Sequence, residues 1–265
     1  MKKTRIALVQ ATSKTGDLDG NIEKGIRFIE EAAKKNVDII SFPELFACGY
    51  DLEYLSGNKD KMKLTKDSLQ VQKMAQAAAT HGMYVNMPCV LEENGHYYNG
   101  TYLFDRNGEI LGTFKKVHLW DEEAKIFEKG SEYPVFHLDF GVLGLLICYD
   151  AGFPEAARML ALQGAELLLV SGAFCGLHWK RWNQYYPARA LENTMYVGAV
   201  NATGGQGVET WFGNNRFYGI NGELICEGLI NIEEMQVVEA DLSKVKEARD
   251  AGCYLTDLRN ETYHY

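Results

Sequence analysis

Apolar positions along the chain fall into two rhythms. Thr4–Gln10 is rich in Ile, Leu and Val and alternates in part, as a strand does. Ile22, Ile26, Ile29 and Ala33 recur at helical spacing within Asn21–Lys35, and Val37–Phe42 is a second short apolar run. A strand, a helix and a strand in this order predict a parallel pair joined by a right-handed crossover. Residues 51–66 are polar and without clear period, and read as a loop able to border a pocket. Asp67–His81 is helical by its Leu69, Val71, Met74, Ala75 and Ala78 face, ended by Gly82, and Met83–Val90 is a third strand.

The alternation then changes. Tyr97–Phe104 and Glu109–Phe114 flank Asp105-Arg-Asn-Gly108, a strong hairpin signal. Consecutive strands after βα units predict a mixed sheet. Asp121–Gly130 reads as a short helical turn or loop. Tyr133–Leu138 and Val142–Ile147 are strands, Phe153–Gln163 a helix, Glu166–Val170 a strand, His178–Asn193 a helix and Met195–Ala202 a strand. Arg216–Ile220 and Glu223–Cys226 form a second hairpin around Asn221-Gly222, and Met235–Ala240 is a strand before a short helix opened by Asp241 and Ser243. No linker, composition break or short repeat interrupts the pattern. It predicts one α/β domain over residues 1–265, a sandwich with helix-covered faces, whose residues 252–265 form a tyrosine-rich arm on the surface or on a partner.

Composition narrows the class. The chain has 265 residues, 46% hydrophobic and 24% charged, an ordinary soluble globular balance. No run approaches the ~20 apolar residues of a membrane span. The apolar run after Met1-Lys-Lys-Thr-Arg5 is too short for a signal peptide. A net charge of −9 without a basic run argues against a nucleic-acid or membrane surface. The six cysteines lack CxxC spacing, which predicts reduced thiols in a cytoplasmic protein and no metal site.

Chemistry concentrates at Gly144-Leu-Leu-Ile-Cys-Tyr-Asp-Ala-Gly-Phe-Pro-Glu155. Cys148 ends an apolar strand, and Pro154 suits the first turn of the following helix. A cysteine at such a turn is displayed at the carboxyl end of a sheet, where helix N–H groups stabilise a thiolate or hold an oxyanion. It needs a base or cation nearby. His118 is one candidate. Glu44, just past the second strand, and Lys116, sharing a face with His118, are the others, with Glu44 moving the proton and Lys116 holding the developing oxyanion. Spacing alone leaves an inert Cys148 open as well.

Glu44 in Phe-Pro-Glu-Leu-Phe, Lys116 in Lys-Lys-Val-His-Leu and Cys148 in Ile-Cys-Tyr-Asp stand in the order and approximate spacing of the nitrilase superfamily, the carbon–nitrogen hydrolases, which nearly the whole chain resembles. The opening strand, Ala188-Arg-Ala-Leu-Glu-Asn193, Phe212-Gly213 with Asn221-Gly222, and Asp257–Tyr263 add to the resemblance. It implies a four-layer α-β-β-α sandwich with mixed sheets and a homodimer or higher homo-oligomer. It implies Glu44 as general base and acid, Lys116 as oxyanion stabiliser, Cys148 as nucleophile and the Tyr149 N–H as second oxyanion donor. A supporting glutamate is implied at Glu123, with Glu122 adjacent. His118 then becomes structural. Cys148-Tyr-Asp resembles the amidase-type branch. The implied reaction takes a small aliphatic amide to carboxylate and ammonia through a thioester on Cys148, with no cofactor. An N-carbamoyl amine or amino-acid hydrolase, then a nitrilase, are the alternatives, and a catalytically silent dimeric interaction protein is the alternative of another class.

Further residues stand as pocket candidates. Tyr50, Tyr149 and Phe174 adjoin the motifs. Trp179 and Trp182 either line a pocket entrance or pack their helix onto the sheet. Arg181 and Arg189 are cations for an anionic substrate or partners in salt bridges. Asp150 and Glu155 read as turn and helix-start residues. Gly204-Gly-Gln-Gly207 lacks the Lys-Ser/Thr of a phosphate loop and reads as a plain loop.

Overall fold

The computed structural model describes residues 3–205 and 210–263. The first half of the chain supplies strands β1 (Thr4–Gln10), β2 (Ile39–Ser41), β3 (Lys63–Leu64), β4 (Tyr84–Glu93), β5 (His96–Phe104) and β6 (Ile110–Lys115). The second supplies β7 (Val135–Leu138), β8 (Gly141–Ile147), β9 (Leu167–Gly172), β10 (Tyr196–Asn201), β11 (Thr203–Gly204), β12 (Trp211–Phe212), β13 (Arg216–Tyr218), β14 (Leu224–Glu227) and β15 (Glu234–Ala240). Helices are α1 (Leu18–Lys34), α2 (Leu52–Met62), α3 (Leu69–His81), α4 (Pro154–Leu162), α5 (Trp179–Asn193) and α6 (Ser243–Asp250).

Two sheets form, ordered β15-β1-β2-β4-β5-β6, with β3 on β4, and β14-β13-β10-β9-β8-β7. Each has parallel strands at its centre (β1-β2-β4 and β8-β9-β10) and antiparallel pairs outside. This is the mixed arrangement the hairpin signals predict. Ile6 and Leu8 of β1 pack into one core with Leu167, Leu169 and Val197 of the facing sheet. Ala7 and Val9 face the other way, into a core with Ile22 and Ile29 of α1 and Val71 and Met74 of α3. Both faces of β1 are buried, so its sequence is nearly continuous in apolar residues. Helices α4 and α5 cover the outer face of the second sheet through Ala156, Leu160, Trp182 and Tyr186. The layers therefore run α-β-β-α, as the resemblance implies.

Residues 51–66 correct the expectation of a loop. They hold α2 and β3. The Asp51 side chain caps the helix by accepting from the Tyr54 N–H at 2.9 Å. Only Leu55 and Met62 of the helix are buried, in a small cluster with Val90, Ile126 and Phe127. Two buried positions on an otherwise wet helix leave no apolar stripe for periodicity to find. No helix among the described residues is long and apolar enough to cross a membrane. Of the Gly204–Gly207 stretch, Gln206 and Gly207 lie outside the described residues, and Gly204 pairs with Trp211 in the small β11-β12 ladder.

Candidate active site

The parallel strands bring their carboxyl ends to one place. Cys148 follows β8 as the first residue of a tight turn, Cys148–Gly152, that leads into α4. Its φ is +46°, a left-handed conformation that costs a side-chain-bearing residue roughly 1 kcal/mol or more. Such strain persists only where surroundings over-determine it. Asp150 Oδ1 accepts from the His118 N–H at 2.8 Å and Oδ2 from the Ile147 N–H at 3.3 Å. Arg189 donates from Nε to the Ala151 carbonyl (3.0 Å) and from Nη2 to the Gly152 carbonyl (3.1 Å). The turn is thus clamped from both sides.

Glu44 lies beyond β2, after Phe42-Pro43, with its N–H directed to the Gly172 carbonyl of the opposite sheet at 3.4 Å. Lys116 is the residue after β6, tied by its N–H to the Asn99 carbonyl at 2.9 Å. Glu123 sits in the 3₁₀ turn Asp121–Lys125. The Lys116 ammonium donates to Glu44 Oε1 at 2.6 Å and to Glu123 Oε1 at 2.8 Å, and all three side chains are fully buried. Glu123 Oε1 also accepts from the Tyr50 hydroxyl at 2.8 Å, and Oε2 from the Trp120 N–H at 2.8 Å. Glu122, by contrast, pairs with Lys125 at the exposed surface. Of the adjacent acids, Glu123 is the one that joins the site.

Asn99, on β5, belongs to none of the sequence motifs. Its Nδ2 donates to Oε1 of both Glu44 (2.8 Å) and Glu123 (3.2 Å). Two carboxylate acceptors fix which way the amide points. The signal in sequence is faint: one Asn after Tyr97-Tyr98, on a strand whose following residues are buried.

One cation between two carboxylates in a dry place leaves a surplus negative charge. Burial, together with Glu123, raises the Glu44 pKa above the ordinary carboxylate range, against the pull of Lys116. For Lys116 burial opposes the charge, but Glu44 and Glu123 outweigh it, so its pKa is raised and the ammonium persists. Burial and then Glu44 push the Cys148 thiol well above its usual value. At rest the thiol is therefore neutral beside the Glu44 carboxyl. Glu44 Oε2 has no partner at ordinary hydrogen-bond length, yet the Cys148 thiol is close enough to act on the carboxylate. This geometry suits proton transfer from sulfur to Glu44 as the sulfur attacks an electrophile, with Lys116 adjacent for the charge that develops.

His118 is directed away from that role. Its Nδ1 meets Asp150 Oδ1 at 2.9 Å, and its ring lies on Phe153 at 3.6 Å between centroids. The segment after Lys116 is thereby tied to the turn that carries Cys148. Cys148, Tyr50, Tyr149 and Phe174 line a single cavity, together with Trp120, Trp211 and Tyr185. Trp179 and Trp182 do not line it, which corrects their pocket-entrance reading. Trp182 is fully buried against Phe174, Tyr186 and Phe212, its Nε1 donating to the Asn214 carbonyl at 3.0 Å. Trp179 packs on Phe212 beneath the Arg216 guanidinium. Trp182 fills core volume, and Trp179 is half-buried against the edge of the same cluster. Of the two arginines, Arg189 is spent on the Cys148–Gly152 turn and on Glu192. Arg181 lies over the Trp120 ring at the cavity wall.

Fold and site together define a hydrolase that acts on carbon–nitrogen bonds. The chain belongs to the carbon-nitrogen hydrolase family, which matches residues 5–250. It is 31% identical over 266 residues to the 2-oxoglutaramate amidase of Bacillus subtilis, covering 98% of this chain and 100% of the relative. It is 30% identical over 291 residues to the N-carbamoylputrescine amidase of Solanum lycopersicum, with 99% and 95% covered. Among solved structures it resembles an amidase of Nesterenkonia from the nitrilase superfamily, with a TM-score of 0.84, 28% identity, and 97% and 95% of the two chains covered. A glutamate-to-glutamine variant of that amidase carries the acetamide moiety of fluoroacetamide added covalently at its active-site cysteine.

Proposed function

We propose that the protein hydrolyses a primary amide of a small carboxylic acid to the carboxylate and ammonia, through a thioester on Cys148. The observation that carries this reading is the Lys116 ammonium held between Glu44 and Glu123 at 2.6 and 2.8 Å, beside the cavity that Cys148 lines. Cys148 Sγ attacks the amide carbon as Glu44 takes the thiol proton. The oxyanion forms against the Lys116 ammonium and the Tyr149 N–H. Glu44 returns its proton to the nitrogen, and ammonia leaves. Water then adds to the thioester carbon, giving a proton to Glu44. Collapse of this second intermediate expels the thiolate, which Glu44 reprotonates, and the acid departs. Glu123 and Asn99 hold Lys116 and Glu44 in register.

The amidase names of the relatives and the cysteine adduct on the Nesterenkonia enzyme support the reading. A second reading, hydrolysis of an N-carbamoyl amine, has the tomato relative in its favour. Incubating the protein with primary amides, N-carbamoyl compounds and a nitrile, while following ammonia, carbon dioxide and the intact mass, separates them. The amide reading expects ammonia without carbon dioxide and an acyl mass increment on Cys148. Absence of both turnover and adduct would count for a silent fold.

The choice of base is testable in the same assay. His118→Gln is expected to retain acylation of Cys148 within about tenfold, because the ring serves Asp150 rather than the thiol. If His118→Gln abolishes acylation and Glu44→Gln leaves it intact, the roles assigned to Glu44 and His118 are wrong.

We also propose that the protein is cytoplasmic and assembles as a homodimer. The exposed Tyr254 and Tyr263 of the carboxyl-terminal arm are consistent with contact to a partner copy.

A further inference from the structure

The cavity above Cys148 encloses about 840 Å³. Volumes of roughly 300–1,000 Å³ bury ligands of drug size. A short aliphatic amide would occupy a small part of it and leave the rest to water. We infer that the acyl group of the substrate carries a planar aromatic body, an arylalkyl amide rather than a short aliphatic one. This rests on the reading of Cys148 as an amide-cleaving nucleophile.

The walls carry the argument. Tyr50, Trp120, Tyr149, Phe174, Tyr185 and Trp211 all face the cavity, from segments as far apart in sequence as the loop after β2 and the β12 ladder. Tyr50 and Trp211 meet edge to face, with centroids 5.4 Å apart at 79°. Trp120 and Tyr149 do the same at 4.7 Å and 70°. Edge-on contacts of this kind hold the rings in place, so the aromatic wall is set before a substrate arrives. Leu177 lines the same cavity yet is 78% exposed, apolar surface that no protein group covers and that the body of a substrate would. The charged lining residues are Asp51, Glu53, Asp121 and Glu122 against Lys125 and Arg181, an acidic surplus that disfavours an anionic acyl group. Apolar, planar surface is what the walls have in common.

The test compares acetamide, hexanamide and 3-phenylpropanamide as substrates of the full chain, by ammonia release. Burying one phenyl group against such walls predicts a kcat/KM about 100-fold higher for 3-phenylpropanamide than for acetamide, most of it in KM, with hexanamide between them. Trp211→Ala should cut the aryl-to-acetamide ratio about tenfold, and Trp211→Phe should keep most of it. Should Trp211→Ala not fold, Leu177→Asp at the exposed mouth gives the same reading, a lower ratio from a position that bears no fold. Equal values for the three amides, a preference for acetamide, or a ratio indifferent to these variants would overturn the inference while leaving the amidase reading in place. Failure of every amide to release ammonia or to acylate Cys148 would overturn both.

Discussion

Replacing Glu44 by glutamine is expected to lower turnover by about 10³-fold, with no loss of stability. The carboxylate is assigned both the thiol proton and the proton given to the leaving nitrogen, so its removal slows acylation and deacylation alike. The pH profile tests the assignment more sharply than the rate. Glu44 must be ionised to accept a proton, and its pKa is raised, first by burial and then by Glu123. The acidic limb of kcat/KM in the native protein should therefore lie above the usual carboxylate range, and it should disappear in Glu44→Gln. Stability follows the same sign. A carboxyl whose pKa is raised by folding stabilises the folded state below its unfolded pKa, and that contribution is lost as pH climbs through the raised value. Glutamine removes the dependence and the surplus charge together. Thermal unfolding of Glu44→Gln near neutral pH should thus match or exceed that of the native protein. A variant that unfolds several degrees earlier would show that Lys116 needs both carboxylates.

Lys116→Met is expected to do damage on two counts. It removes the cation proposed to hold the developing oxyanion, worth about 10²–10³-fold in kcat. It also leaves Glu44 and Glu123 facing each other with no counter-charge in a place that is 0% exposed. Breaking a buried pair in this way costs about 3–5 kcal/mol, which for a chain of this size lowers Tm by roughly 10 °C. The abandoned carboxyls can escape by binding protons, so the deficit in Tm should be larger at pH 8 than at pH 5. Adding Glu123→Gln to Lys116→Met should recover part of the lost stability and none of the lost activity. Recovery of activity in the double variant would mean that Lys116 serves the fold alone.

The main elements of the fold could be read along the chain because burial imposes its period directly. The run Thr4–Gln10, the Leu69–Ala78 stripe and the Asn107-Gly108 turn each carry their structure in a few neighbouring residues. Helix α2 could not be read, because a capping Asp51 and two buried contacts hold it and most of its surface meets water. Trp182 shows the opposite limit. A tryptophan near a motif fits a pocket wall and a core equally well by composition, and only its packing on Phe174, Tyr186 and Phe212 decides.

For the site, the sequence by itself determined Glu44, Lys116 and Cys148 as candidates. Each ends a strand within a recognisable local motif, and strand ends are where a sheet displays side chains. Tertiary structure decided what those residues meet. It chose Glu123 over Glu122, since adjacent positions on a 3₁₀ turn point about 120° apart, one inward to Lys116 and one out to Lys125. It enlisted Asn99 and Tyr50, which are 49 positions apart in the chain and donate to the same carboxylate oxygen. It turned His118 from a candidate base into a brace for Asp150. Burial and periodicity are local properties and leave their mark on neighbouring residues. The partner of a buried polar group is set by how distant strands come into register, and no short stretch of sequence records it.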